Sequence, residues 1–267
     1  MTGISKYCRC LGIELSRALV TPRTYIALIL VALTYFLSVI VSGIGFNSGA
    51  DSVYFFYRAR FSHIRLLQML CITFAFSVIF IDDWKHKYTL SCVIRSGTFA
   101  YAAARVTSCF ICSWVVSFSG LHLFLGLMSL KLPFISELYS QVYAQDGPYG
   151  ALVHSAAPYL YVFVTAGIVS AMLAFWAVVG LLISAFCSNV FVAAGLPVLI
   201  FYYITDFTAY IPVPKAINIT NISYCGDVGM GAWGGFIYSV LFFALLSALA
   251  GFLFYKRVKA RVAGEIR

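Results

Sequence analysis

Charged residues in this chain fall in blocks separated by long stretches that carry none. No Asp, Glu, Lys or Arg occurs between Arg23 and Asp51, Arg65 and Asp82, Arg105 and Lys131, Asp146 and Asp206, or Asp227 and Lys256. A helix crosses the hydrocarbon of a bilayer with about 20 apolar residues at 1.5 Å each. Four of these windows hold one crossing apiece. The window from Asp146 to Asp206 is too long for one, and it breaks at Cys187-Ser188-Asn189, a polar stretch suited to a tight helical hairpin. The pattern therefore predicts six spans, near Tyr25–Phe46, Leu66–Ile81, Tyr101–Leu130, Pro158–Phe186, Val190–Tyr210 and Trp233–Tyr255. The second window is short, so its helix is expected to begin earlier, near Phe61, with Arg65 snorkelling to the interface. The fold class that follows is all-α, a polytopic membrane protein whose single transmembrane domain occupies residues 1–267.

Composition agrees. The chain is 62% hydrophobic, 17% aromatic and 10% charged, with a mean hydropathy of +0.94. Ordinary soluble domains run near 45–50% apolar and about 25% charged, so a soluble globule and a disordered chain are both excluded.

The few charges are lopsided, 18 Lys and Arg against 9 Asp and Glu. Thirteen of the basic residues lie in three segments: Lys6, Arg9, Arg17 and Arg23; Lys85, Lys87, Arg95 and Arg105; and Lys256, Arg257, Lys259, Arg261 and Arg267. Six spans put all three on one side of the membrane, which the positive-inside rule identifies as the cytoplasmic side, with both termini inside. Arg58, Arg60 and Arg65 in the first outer loop run against this trend, and charge alone does not account for them. Nucleic acid is a poor partner for basic residues that flank apolar spans rather than line one polar face.

Ahead of the first span, Ile4, Tyr7, Leu11, Leu15, Ala18 and Leu19 recur at helical steps, while Lys6, Arg9, Glu14 and Arg17 are expected on other faces. This describes an amphipathic helix over residues 1–22 lying among cytoplasmic headgroups, broken by Pro22 where the chain turns into the bilayer. The apolar stretch from Tyr25 to Phe46 is too long for a signal-peptide core. Of the eight cysteines, Cys71, Cys109, Cys112 and Cys187 fall in or beside apolar runs, where Cys behaves as a small hydrophobe. Cys225 has no outer partner. Two triplets, Asn218-Ile219-Thr220 and Asn221-Ile222-Ser223, have glycan-acceptor form and carry little weight.

The spans hold no carboxylate, Lys or Arg except near their ends, which disfavours transport driven by buried titrating acids. His122 in span three reads best as a hydrogen-bonded packing residue; His154 precedes span four. No G-x-S-x-G elbow and no G-x-x-x-x-G-K-[ST] loop occurs, so neither a serine nucleophile of that kind nor a nucleotide cradle is expected.

One cytoplasmic stretch carries pattern. Asp82-Asp83 closes span two, and Trp84, Lys85 and Lys87 follow. Tyr88, Cys92 and Arg95 then fall at helical steps until Ser96-Gly97 stops them, and Tyr101 and Arg105 open span three. Residues 82–100 form a helical elbow parallel to the membrane that could seat in a groove of a soluble partner, or a solvated loop with ordinary basic charge.

That layout resembles the permease subunits of type-2 ABC exporters. In many bacterial members an acidic pair and a Gly precede an apolar-Arg-Ser/Thr stretch, then a Tyr with Lys or Arg four residues on. Asp82-Asp83, Ile94-Arg95-Ser96, Tyr101 and Arg105 match in register, and Lys87 stands where Gly is usual. The resemblance implies a half-transporter in a bacterial plasma membrane that pairs with a second copy or a paralogue. Asp82, Asp83, Trp84, Lys85, Lys87, Arg95, Tyr101 and Arg105 would couple it to a separate ABC ATPase. ATP and Mg would sit on that subunit, leaving this chain no enzyme and without a cofactor of its own. A membrane enzyme using His122 or His154, and a non-transporting anchor, are the competing readings. Tyr139, Tyr143, Tyr149, Tyr159 and Tyr161 in outer segments suit amphipathic cargo, or an interfacial aromatic belt.

Overall fold

The structure is a computed structural model describing residues 3–41, 49–144, 146–153, 155, 157–211 and 213–265. Among them every regular element is helical. In chain order these are α1 (Gly3–Val20), α2 (Pro22–Val41), α3 (Ser52–Arg60), α4 (Arg65–Ser77), α5 (Ile79–Lys85), α6 (Tyr88–Ser96), α7 (Thr98–Ser129) and α8 (Glu137–Ala144). A short 3-10 helix (Gly147–Leu152) leads to α9 (Tyr159–Ser184), α10 (Val190–Tyr210), α11 (Ile219–Ser223) and α12 (Gly231–Glu265). Six helical segments are long and apolar enough to cross a membrane: α2, α4 with α5, α7, α9, α10 and α12. This is the predicted number.

Span boundaries moved where local chemistry overrode hydropathy. Pro22 fixes the first turn of α2, so that helix starts three residues before the expected Tyr25; Ser42–Phe46 lie outside the described residues. The second span does not begin near Phe61. Turn hydrogen bonds from Arg65 N to Ser62 O and from Leu66 N to His63 O separate α3 from α4, and the extra length lies at the other end, past a break at Val78 to Lys85. The last helix outruns its apolar window by ten residues, because its final turns are amphipathic rather than apolar. The Cys187-Ser188-Asn189 turn is as expected: the Asn189 side chain caps α10 by accepting from Phe191 N at 2.9 Å.

Packing centres on α9, whose side chains are buried on nearly every face. It is surrounded by α4, α7, α10 and α12. Small residues make these approaches possible, as is usual where helices pack without a hydrophobic driving force. A Cβ on Gly180 would come within 2.5 Å of Ser77 Oγ and 2.9 Å of the Ala193 carbonyl oxygen. Polar links cross the same seam, with Ser77 Oγ donating to Ala177 O at 2.8 Å and Thr73 Oγ1 to Ala194 O at 2.9 Å.

The bundle has two chemically different ends. One, the basic end, carries α1, α5, α6, the start of α7, the α9–α10 turn and the end of α12. The other is a cap built from α3, α8, the 3-10 helix and α11.

Candidate functional site

The basic end is organised by an ionic node beneath the elbow. Arg105, from the second turn of α7, donates through Nη1 to Glu14 of α1 and through Nη2 to Asp83 Oδ2 of α5 at 3.0 Å. Arg17, one turn after Glu14, reaches the same carboxylate with both terminal nitrogens, Nη1 to Oδ2 at 3.0 Å and Nη2 to Oδ1 at 2.5 Å. Glu14, Asp83 and Arg105 are buried, whereas the Arg17 side chain is 38% exposed. Two carboxylates and two guanidinium groups balance. That balance matters because an unpaired buried charge costs several kcal/mol.

The elbow is held at both ends by left-handed backbone. Lys87 (φ 58°) joins α5 to α6, and Gly97 (φ 88°) joins α6 to α7. Glycine is the default at such angles, so Lys87 carries a side chain in a conformation that glycine adopts freely. Tyr101 and Thr89 share a hydroxyl–hydroxyl bond of 3.1 Å that ties α6 down onto α7. The Arg17 guanidinium also lies 4.3 Å over the Tyr88 ring. Burial, then its bond to Cys92, push the Tyr88 phenol up to about 12, while the hydrogen bond to Asp83 raises Arg17. Arg23 pairs with Asp82 at 3.0 Å, both side chains being well exposed.

The sequence-selected residues thus divide. Asp83, Tyr101 and Arg105 meet inside the protein, where no incoming partner could touch them. Trp84 is partly buried under the guanidinium of Arg261, 4.3 Å from its ring. Lys85, Lys87 and Arg95 are exposed, and Lys87, Ser91, Ile94 and Arg95 form one outward stripe of α6, with Ile94 72% exposed. Lys6 and Arg9 of α1 are exposed too.

Glu14 corrects an expectation. It lies on the buried face of α1 with Ala18, not on the charged side. It follows Tyr7 by seven residues and precedes Ala18 by four, so its helical phase was apolar in the sequence already. Its sign concealed this, since a carboxylate on an apolar stripe is accommodated only by a cation from elsewhere. Arg257 and Arg261, which the charge pattern assigns only to the C-terminal basic segment, also have a structural role. They donate to Ala185 O at 3.4 and 3.1 Å, closing the C-terminus of α9.

At the cap, two of the three arginines that charge could not explain have structural partners. Arg60 Nη2 lies 2.7 Å from both oxygens of Asp146, which also accepts from Tyr161 at 2.7 Å. Arg65 is buried rather than snorkelling, donating to Ser223 O at 2.8 Å beneath the Tyr224 ring. Arg58 stays exposed. Asp51 caps α3, accepting from Tyr54 N and Ser136 N at 2.7 Å each and from the Tyr143 hydroxyl. Tyr143, Tyr149 and Tyr161 are therefore core of the cap and line neither a cargo surface nor an interfacial belt. Tyr139 packs on Tyr54 at 4.2 Å, and Tyr159 is half exposed.

His122 donates from Nδ1 to Phe118 O at 2.8 Å and lies tilted against the Phe118 ring, centroids 4.1 Å apart, as a packing residue does. His154 lies outside the described residues. Cys109, Cys112 and Cys225 are buried free thiols. Compared with family models, with curated proteins and with solved structures, the chain matches none.

Proposed function

We propose that this chain is the membrane subunit of an ATP-driven exporter of the type-2 ABC permease kind. It would provide half of the translocation pathway, and α6 would be its docking helix for a separate ATPase that holds ATP and Mg. The carrying observation is mechanical. The elbow is not a loose loop: through Asp83, Arg105, Glu14 and Arg17 it is tied by charge to α1 and α7, and through Thr89 and Tyr101 it is pinned to α7 again. A push on the exposed stripe of Lys87, Ile94 and Arg95 would move α6, the start of α7 and α1 together. Energy delivered this way needs no titrating group inside the spans.

In this reading the basic end faces the cytoplasm of a bacterial plasma membrane, as the charge asymmetry favours. α1 lies along the headgroups as an amphipathic brace, and a second copy or paralogue completes the pathway. The test is ATP hydrolysis by the assembled permease and ATPase in proteoliposomes. Arg95→Glu, at an exposed position, should leave expression and folding intact and abolish stimulation of hydrolysis by cargo. Undiminished stimulation sinks the docking assignment. An anchor that merely recruits a partner would bind the ATPase through the same stripe yet show no stimulation in the unaltered protein.

A further inference from the structure

A groove of about 1060 Å³ opens on the flank of the basic end, between α1, the first turns of α7 and the later turns of α12. Its floor is small and apolar, made by Ala103 and Val106 of α7 with Ala248 and Gly251 of α12. Gly251 lets the two helices close up, since a Cβ there would come 2.8 Å from Val106. Phe99 and Phe252, both more than half exposed, form its walls. At the mouth stand Lys6 and Lys259, both exposed. The ion pairs of the described residues involve neither of them.

Dimensions and charge identify an occupant. From Lys259 to Ala248 the groove follows α12 for about 16 Å at 1.5 Å per residue, about the depth of one leaflet of a hydrocarbon core roughly 30 Å thick. Cationic at the headgroup level and apolar below, it matches a molecule that is anionic at one end and hydrocarbon along its length. The first turn of α7 adds a positive helix end beside the mouth, because Gly97 provides no side-chain cap. A second copy of the chain seated with its two-fold axis through the mouth would set these lysines against themselves.

We propose that the groove is a binding site for one anionic phospholipid, its phosphate held between Lys6 and Lys259 and an acyl chain lying over Ala103, Ala248 and Gly251. The site would tie α1 to α12 through lipid, on the side of α7 away from the ionic node. It stands apart from the export reading, because nothing in it depends on what docks on α6.

The test uses the full chain in mild detergent and native mass spectrometry with added phosphatidylglycerol or phosphatidylcholine. The unaltered protein should retain phosphatidylglycerol roughly tenfold better, given two lysines near the phosphate. Lys6→Glu with Lys259→Glu should erase that preference, and Ala248→Phe should expel both lipids by filling the trench. If the double reversal fails to fold, Lys6→Gln with Lys259→Gln must still lower the preference several-fold. A photoreactive benzoylphenylalanine replacing Phe252 should form an adduct of phospholipid mass. Equal retention of the two lipids, a preference that survives loss of both lysines, or a photo-adduct of dimer mass would each overturn the proposal.

Discussion

The two ends of the bundle solve the same problem, a buried arginine, in different ways. At the basic end the charges balance, and the partners come from three separate helices: Glu14 and Arg17 from α1, Asp83 from α5 and Arg105 from α7. At the cap Arg60 pairs with one carboxylate, Asp146, and Arg65 has the Ser223 carbonyl in place of an acid. Arg60 and Arg65 each keep Nε and Nη1 without a hydrogen-bond partner among the described residues. Aromatic faces stand in, with Tyr224 4.2 Å from Arg65 and Phe61 4.8 Å from Arg60. The first arrangement links helices that a lever would have to move as one. The second fastens loops across the top of the bundle, where Asp51 and Tyr143 do similar work. A network of ion pairs shared among three helices ties them to move together, whereas the single Arg60–Asp146 pair, with stacking and backbone bonds, seals the cap.

The comparison can be broken first at its strongest points. Arg105→Ala leaves Glu14 and Asp83 buried with only Arg17 to answer them, and should cost about 3–5 kcal/mol of stability. Arg60→Ala should cost less, about 2–3 kcal/mol, because Asp146 keeps the Tyr161 hydroxyl. Both are measurable as thermal exposure of the buried thiols Cys109 and Cys112 to a fluorogenic maleimide. Adding Glu14→Gln to Arg105→Ala should recover part of the loss. Equal losses at the two ends, or no recovery, would mean that the two ends hold their arginines alike.

A smaller effect sharpens the elbow. Left-handed backbone costs an L-residue roughly 1–2 kcal/mol, and the greater flexibility of glycine in the unfolded chain offsets about 0.5–1 kcal/mol of any relief. Lys87→Gly should therefore be neutral or stabilising by up to about 1.5 kcal/mol, and Lys87→Val should be destabilising. The same labelling assay reads both, and a clear loss of stability in Lys87→Gly would mean that the Lys side chain itself holds the turn. Smallest of all, Arg23→Ala removes an exposed pair with Asp82 and should change stability by less than about 1 kcal/mol, with the difference vanishing in high salt.

What could be read along the chain, and what could not, follows the range of the interactions. The spans, the Cys187-Ser188-Asn189 turn and the Ser96-Gly97 stop are local, because transfer into hydrocarbon and backbone conformation depend on neighbours a few residues away. Asp83 and Arg105 stood out by their place in a motif. Their roles did not, because the motif cannot say that both face inward. Arg65 was expected at the membrane surface on hydropathy alone, yet the partner that buries it is the Ser223 carbonyl, 158 residues later. Tyr143, Tyr149 and Tyr161 were likewise expected on a cargo surface or in an interfacial belt and became the interior of the cap.

Amino-acid order alone settled that the chain is helical, that six of its helices suit a bilayer, and that its basic residues gather at one end. Each follows from the solvation of a continuous stretch, which needs no knowledge of the rest. Folding in three dimensions decided which carboxylate answers which arginine, why cations sit in the cap, and where a groove opens with Lys6 and Lys259 at its mouth. Those outcomes depend on which helix faces come together, and charge complementarity between distant segments acts only after packing has made them neighbours.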